Sequence, residues 1–104
     1  MAYKIVVTPD AEADLDRFIA YLLFEKQNSQ AAGNLLDDFE LTKNTLSNVA
    51  PSLKYCENPK LKQFGYRRIN FQKHSYFMLY RMENNLVIID NIFHDLQDYE
   101  NHLR

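Results

Sequence analysis

The sequence predicts an α+β fold: an N-terminal strand, an antiparallel helix hairpin packed on one face of a small twisted, mainly antiparallel sheet, and a short C-terminal helix or tail. Three observations carry this reading. Apolar residues recur twice at helical spacing in the first half of the chain. The second half holds three runs rich in β-branched and aromatic residues, bounded by turn residues. Neither an internal repeat nor a Pro/Gly-rich linker divides the 104 residues, so one domain covering 1–104 is expected.

Tyr3 to Val7 is short and rich in β-branched residues, and Thr8-Pro9 closes it. Thr8 can cap a helix and Pro9 can occupy its first position, where a missing N–H costs nothing. Ala11, Leu15, Phe18, Ile19, Leu22 and Leu23 then form one stripe, which predicts an amphipathic helix over roughly residues 10–27. Asn28-Ser29 supplies a turn and a cap. Ala32, Leu35, Leu36, Phe39, Leu46 and Val49 form a second stripe, and so short a connection makes the two helices antiparallel.

Residues 50–64 contain Pro51 and Pro59 without apolar period and read as a loop. Strands are predicted at about Tyr66 to Phe71, Ser75 to Met82 and Leu86 to His94, with Glu83-Asn84-Asn85 as a hairpin turn. Leu86 through Ile89 are apolar on both parities, which marks a central strand covered on both faces. Leu96 to Leu103 is left for the short helix or tail.

Charge is segregated. Residues 51–81 hold Lys54, Lys60, Lys62, Arg67, Arg68, Lys73 and Arg81 against the single acid Glu57, although the whole chain has a formal charge of −2. Such a segment attracts a polyanion or an acidic peptide, and the expectation is that Lys62, Arg68 and Arg81 converge on one recessed patch. The lone Cys56 cannot form an intrachain disulfide, the start lacks a signal-peptide apolar stretch, and the run Phe18 to Phe24 is too short to span a bilayer. A cytoplasmic protein without membrane contact is the natural reading.

No Gly-rich phosphate loop, nucleophile elbow or metal-ligand spacing is present, so neither a metal nor another cofactor is expected. The residues left to carry chemistry are Arg67, Arg68, Arg81, His74, His94 and the loop lysines, which can grip phosphate or clamp carboxylates. Arg67 and Arg68 leave a strand on opposite sides. Arg67 shares the parity of Ile69 and Phe71, which directs Arg68 to the face away from the helices. His94 has an imidazole suited to acid–base work, or simply ends a strand. His74 reads as exposed, Tyr76 and Tyr80 as packing residues with outward hydroxyls, and Asp37, Asp38 and Glu40 as a solvated helix face.

Taken together these residues resemble the RelE/ParE superfamily of toxins from type II toxin–antitoxin systems. The likeness rests on Tyr3, Ala11-Glu12-Ala13-Asp14-Leu15-Asp16, Tyr21, Gln30-Ala31-Ala32 and Pro51. It continues through Gly65-Tyr66-Arg67-Arg68, Leu79-Tyr80-Arg81, Val87-Ile88-Ile89 and His94, over nearly the whole chain. The resemblance implies a growth inhibitor neutralised by a cognate antitoxin whose acidic, partly disordered segment folds on the toxin. Lys60, Lys62, Arg67, Arg68, Tyr80 and Arg81 are then the candidates for binding antitoxin or target. A homodimer is compatible as well.

RelE-like members cleave mRNA on the ribosome, and ParE-like members block DNA gyrase. Ribonuclease activity would draw on Arg68, Arg81 and His94 as catalytic residues. Arg68 falls where RelE-like enzymes place a basic residue. Where those enzymes follow a tyrosine on the next strand with arginine, however, this chain has Tyr76-Phe77, and their cationic C-terminus is replaced by Asp95-Leu96-Gln97-Asp98-Tyr99-Glu100. Tyr99 is available to a second ribonuclease style, which also needs a glutamate that has no clear counterpart here. The helical hairpin and the spacing from Gly65 to His94 look closer to the ParE branch. A RelE-like endoribonuclease and a non-toxic member acting only as a binding partner are the alternatives.

Overall fold

The structure is a computed structural model and describes residues 2–96. Strand β1 (Lys4–Val7) leads into helix α1 (Pro9–Ala20), where the Thr8 hydroxyl accepts a hydrogen bond from the Ala11 N–H at 3.2 Å and Pro9 opens the helix. A π-helical turn over Tyr21–Glu25 carries α1 to the hairpin, and Gln27 enters the left-handed region at φ 48°. Asn28 then caps α2 (Ser29–Val49) through the Ala31 N–H. The predicted hairpin and both caps are as expected.

Strands β2 (Arg67–Asn70), β3 (Tyr76–Glu83) and β4 (Leu86–His94) follow. The sheet order is β1-β4-β3-β2, with β1 parallel to β4 and the other two pairings antiparallel. The doubly apolar β4 is central, as its sequence requires. Asn84 makes the tight β3–β4 turn at φ 55°, a conformation asparagine tolerates through its short polar side chain. The ladder slips between Leu79 and Tyr80: these pair with Asn91 and Ile89, which leaves Asp90 as an extra residue in β4.

Helices α1 and α2 cover one sheet face. Ala11, Leu15, Leu35, Phe39 and Leu46 pack there on Met78, Tyr80, Val87, Ile89 and Ile92. Two carboxylates fasten this layer. Asp14 on α1 accepts from the Ile92 N–H at 2.9 Å and pairs with Arg17. Asp38 on α2 has no solvent-exposed side-chain surface and accepts from the Gln72 and Lys73 N–H groups, the Thr42 hydroxyl and His74 Nδ1. Burial pushes the Asp38 carboxyl up, but His74 and the two N–H groups outweigh it and hold it below its ordinary value. Asp38 and His74 therefore belong to an internal clamp on the β2–β3 turn, where the sequence suggested solvated residues.

The opposite face is not bare. Residues 50–64, expected to be an irregular loop, form a 3-10 turn at Ala50–Ser52 and a short helix α3 (Pro59–Gln63), capped by the Asn58 side chain. Tyr55 bridges to Arg67 beside the sheet edge. Cys56 and Leu61 from this segment bury Phe77, Leu79 and Phe93, with Tyr66 packed alongside. At about 1.5–3 kcal/mol per fully buried large apolar side chain, this second cluster is a substantial part of the stabilisation. The expected C-terminal helix or tail, including Tyr99, lies outside the described residues. Among the described residues no helix is long and apolar enough to cross a membrane.

Candidate functional site

The face covered by α3 gathers the basic side chains. Register places Arg68 opposite Leu79, and Arg81 lies two residues further along β3 on the same face, so both project away from the helices as parity requires. The Arg68 guanidinium lies over the Phe77 ring at 3.7 Å from its centroid, and the buried ring fixes its plane. Its Nε donates to Asn70 Oδ1 at 2.9 Å and its Nη2 to Asp95 Oδ1 at 3.2 Å. With Lys54, Tyr55, Cys56, Glu57 and Asn70 it lines an open cleft of about 340 Å³. Burial pushes the Cys56 thiol up, with Arg68 opposing.

Arg81 is differently placed. Its Nε donates to Asp90 Oδ2 at 2.8 Å and its Nη1 meets Glu83 at 3.1 Å, and the Asp90 bond raises its affinity for the proton. The Tyr66 hydroxyl donates to the same Asp90 oxygen at 2.8 Å. The extra residue in β4 aims this carboxylate at Arg81, so the cation is matched inside the protein. Lys60 and Lys62 are exposed on α3 and, like Lys54, have no ion-pair partner among the described residues. The accessible positive charge is thus Arg68 with Lys54, Lys60 and Lys62.

Three expected members of the site lie elsewhere. Arg67 faces the helix layer, where its Nη1 donates to the Ala50 carbonyl at 2.9 Å and its guanidinium stacks over Tyr55 at 4.3 Å. This charge sits at the C-terminal end of α2, where the helix dipole favours a cation. Tyr80 is fully buried and donates to the same carbonyl at 2.7 Å, and burial pushes its phenol up to about 12. It is a core residue, and the outward hydroxyl expected of it points inward.

His94 pairs in register with Tyr76 on the helix side of the sheet. Its ring meets the Tyr76 ring edge-on at 4.9 Å and lines a pocket with Arg17, Phe18 and Tyr21. His94 Nδ1 also accepts from the Leu96 N–H at 3.1 Å. The imidazole is therefore on the opposite side of the sheet from Arg68 and Arg81, and the three do not form one constellation. What sequence reasoning missed is the cradle around Arg68. Asn58-Pro59, a cap followed by a first-turn proline, was the available signal for α3, the helix that follows the cleft-lining residues 53–57.

The molecule offers a cationic cleft in which Lys54 and Arg68 adjoin the Tyr55 ring, suited to carboxylates or phosphates, and His94 is not among its lining residues. A family model described as ParE toxin of type II toxin-antitoxin system, parDE, matches residues 5–99. No curated protein matches the chain at a significant level. Among solved structures, the chromosomal ParDE TA system from P. aeruginosa superposes with a TM-score of 0.70 at 20% identity, over 89% of this chain and 96% of that one. The toxin-antitoxin complex RelBE2 from Mycobacterium tuberculosis does so with a TM-score of 0.60 at 18% identity, over 90% and 99%. At these identities the two structures speak to the fold alone. The family model spans nearly the whole chain, and on that match the protein belongs to the ParE toxin family of type II toxin–antitoxin systems.

Proposed function

We propose that residues 1–104 form one domain that inhibits growth by binding DNA gyrase in the cytoplasm, and that an acidic antitoxin segment neutralises it on the face bearing Arg68 and α3. The observation that carries the choice of target is the separation of His94 from Arg68 and Arg81. Cleaving RNA needs a positioned proton donor and acceptor close to the cations that hold the phosphate. Here Arg68 and Arg81 lie across the sheet from the imidazole, and the cation in the imidazole's own pocket, Arg17, is already paired with Asp14, an arrangement that favours an inhibitor acting by binding. ParE family membership supports the same branch.

The partner reading rests on electrostatics. Lys54, Arg68 and the exposed Tyr55 ring line one cleft, and the short helix α3 carries the exposed Lys60 and Lys62 and ends at the exposed Phe64, so an acidic amphipathic peptide has both cations and apolar area to meet. Such a segment gains its folding free energy on binding. Replacing Lys60 and Lys62 together with glutamate should weaken antitoxin binding by about tenfold or more, with a shallower salt dependence.

The deciding experiment adds purified protein to a defined gyrase supercoiling reaction. Inhibition that antitoxin relieves is the expected result. Unaffected supercoiling, together with codon-linked transcript cuts that vanish in an Arg68→Ala, His94→Ala double variant, would replace this reading with the ribonuclease one. Normal growth on expression without antitoxin would identify a non-toxic binding member.

A further inference from the structure

A groove of about 310 Å³ lies between α1 and α2, on the side of the sheet away from the cationic cleft. Val7, Leu15 and Phe39 form its floor, and Leu36 stands on its wall, 46% exposed. Glu12 and Asp16 of α1 and Glu40 of α2 contribute its carboxylates. On α2, Leu36, Phe39, Glu40 and Lys43 follow one another at i, i+3, i+4 and i+7, a stripe about 10 Å long.

Asp14, Asp38, Asp90 and Asp95 are bound to specific internal donors. Glu12 and Asp16 are exposed and have no ion-pair partner among the described residues. Glu12 lies in the first turn of α1, where the helix dipole alone accounts for an acid; Asp16 lies beyond that turn, and the dipole does not account for it. The groove already holds one cation: Lys43 Nζ sits over the Phe39 ring at 5.5 Å and pairs with Glu40 at 3.1 Å. An ammonium between an aromatic face and a carboxylate is therefore a geometry this surface accepts.

We infer that the α1–α2 groove is a docking site for a basic amphipathic helix of a partner protein. About two turns of such a helix set aliphatic side chains on Val7, Leu15, Leu36 and Phe39 and set lysines or arginines against Glu12 and Asp16. Charge complementarity selects the sign. An acidic segment would meet Glu12 and Asp16 here, with Glu40 already matched by Lys43, whereas Lys54, Lys60, Lys62 and Arg68 offer it cations on the other side of the sheet. The two surfaces take partners of opposite charge, and one molecule can hold both at once. This inference is independent of the gyrase and antitoxin readings.

The test titrates the isotopically labelled full chain with a short synthetic helix carrying leucine at i, i+3, i+4 and i+7 and lysine elsewhere, and with its glutamate counterpart. The expected result is that the lysine peptide shifts the amides of Val7, Leu15, Leu36 and Phe39 and binds about tenfold tighter than the glutamate peptide. Asp16→Lys, an exposed substitution that leaves the core intact, should weaken the lysine peptide by about tenfold. Absence of binding, equal affinity for the two peptides, indifference to Asp16→Lys, or shifts gathered on β2 and α3 would each overturn the proposal. So would sedimentation showing a dimer that Leu36→Asp dissolves, since a second copy would then fill the groove.

Discussion

The two faces of the sheet are buried by different means. On one, two long helices lay a continuous apolar layer over Met78, Tyr80, Val87, Ile89 and Ile92, fastened by Asp14 and Asp38. On the other, a short segment inserts Cys56 and Leu61 over Phe77, Leu79 and Phe93 and leaves Arg68 stacked on the rim. Cations on the helix side are enlisted in the architecture, as when Arg67 holds the end of α2, whereas Arg68 and the α3 lysines remain open to a partner. Strand parity alone sends adjacent arginines to these two fates.

The comparison breaks most visibly at Phe77. Phe77→Ala removes the centre of the smaller cluster together with the platform under Arg68, and it should cost about 3–5 kcal/mol in denaturant unfolding. A cost below about 1 kcal/mol would mean that the α3 side contributes little to the fold.

Asp38→Ala comes next. It leaves two N–H groups and an imidazole without their shared acceptor, a loss of about 3 kcal/mol. Because the folded Asp38 carboxyl lies below its ordinary value of 3.8, its contribution is complete above that value and disappears as pH falls through it toward the folded one. Asp38→Asn should therefore flatten the acid limb of a stability–pH profile measured by thermal unfolding.

Tyr80→Phe deletes only the hydroxyl bound to Ala50 and should cost about 1 kcal/mol while leaving antitoxin affinity unchanged. Arg68→Ala sharpens the contrast from the other side. Its stability cost should be the smallest, within about 1 kcal/mol, because its ion pair with Asp95 is exposed, while antitoxin affinity in a titration falls about tenfold. If Tyr80→Phe proved the variant that loses affinity, the division of labour between the faces would be wrong.

Much of this frame was legible in the residues. Thr8-Pro9 and Asn28-Ser29 announced both helix starts, and the apolar run from Leu86 announced a central strand. The parity of Arg67 and Arg68 assigned each to its face. Asp38 was not legible, because an acid between Asp37 and Glu40 looks solvated until one knows that the β2–β3 turn folds back onto α2. Nor was the isolation of His94 from the arginines, since composition records which side chains exist and only register records which side of a strand they leave.

The supernumerary Asp90 carries a last consequence. Val87 and Ile89 before it and Ile92 after it all pack under the helices, so the bulge absorbs one residue without exchanging the inner and outer side chains of β4. A chain shortened by that single position would keep both apolar layers in phase while releasing the Arg81 guanidinium and the Tyr66 phenol from their common acceptor. One residue in a strand thus sets both the phase of the sheet and the charge left open on Arg81, because the bulge and the neutralising carboxylate are the same residue.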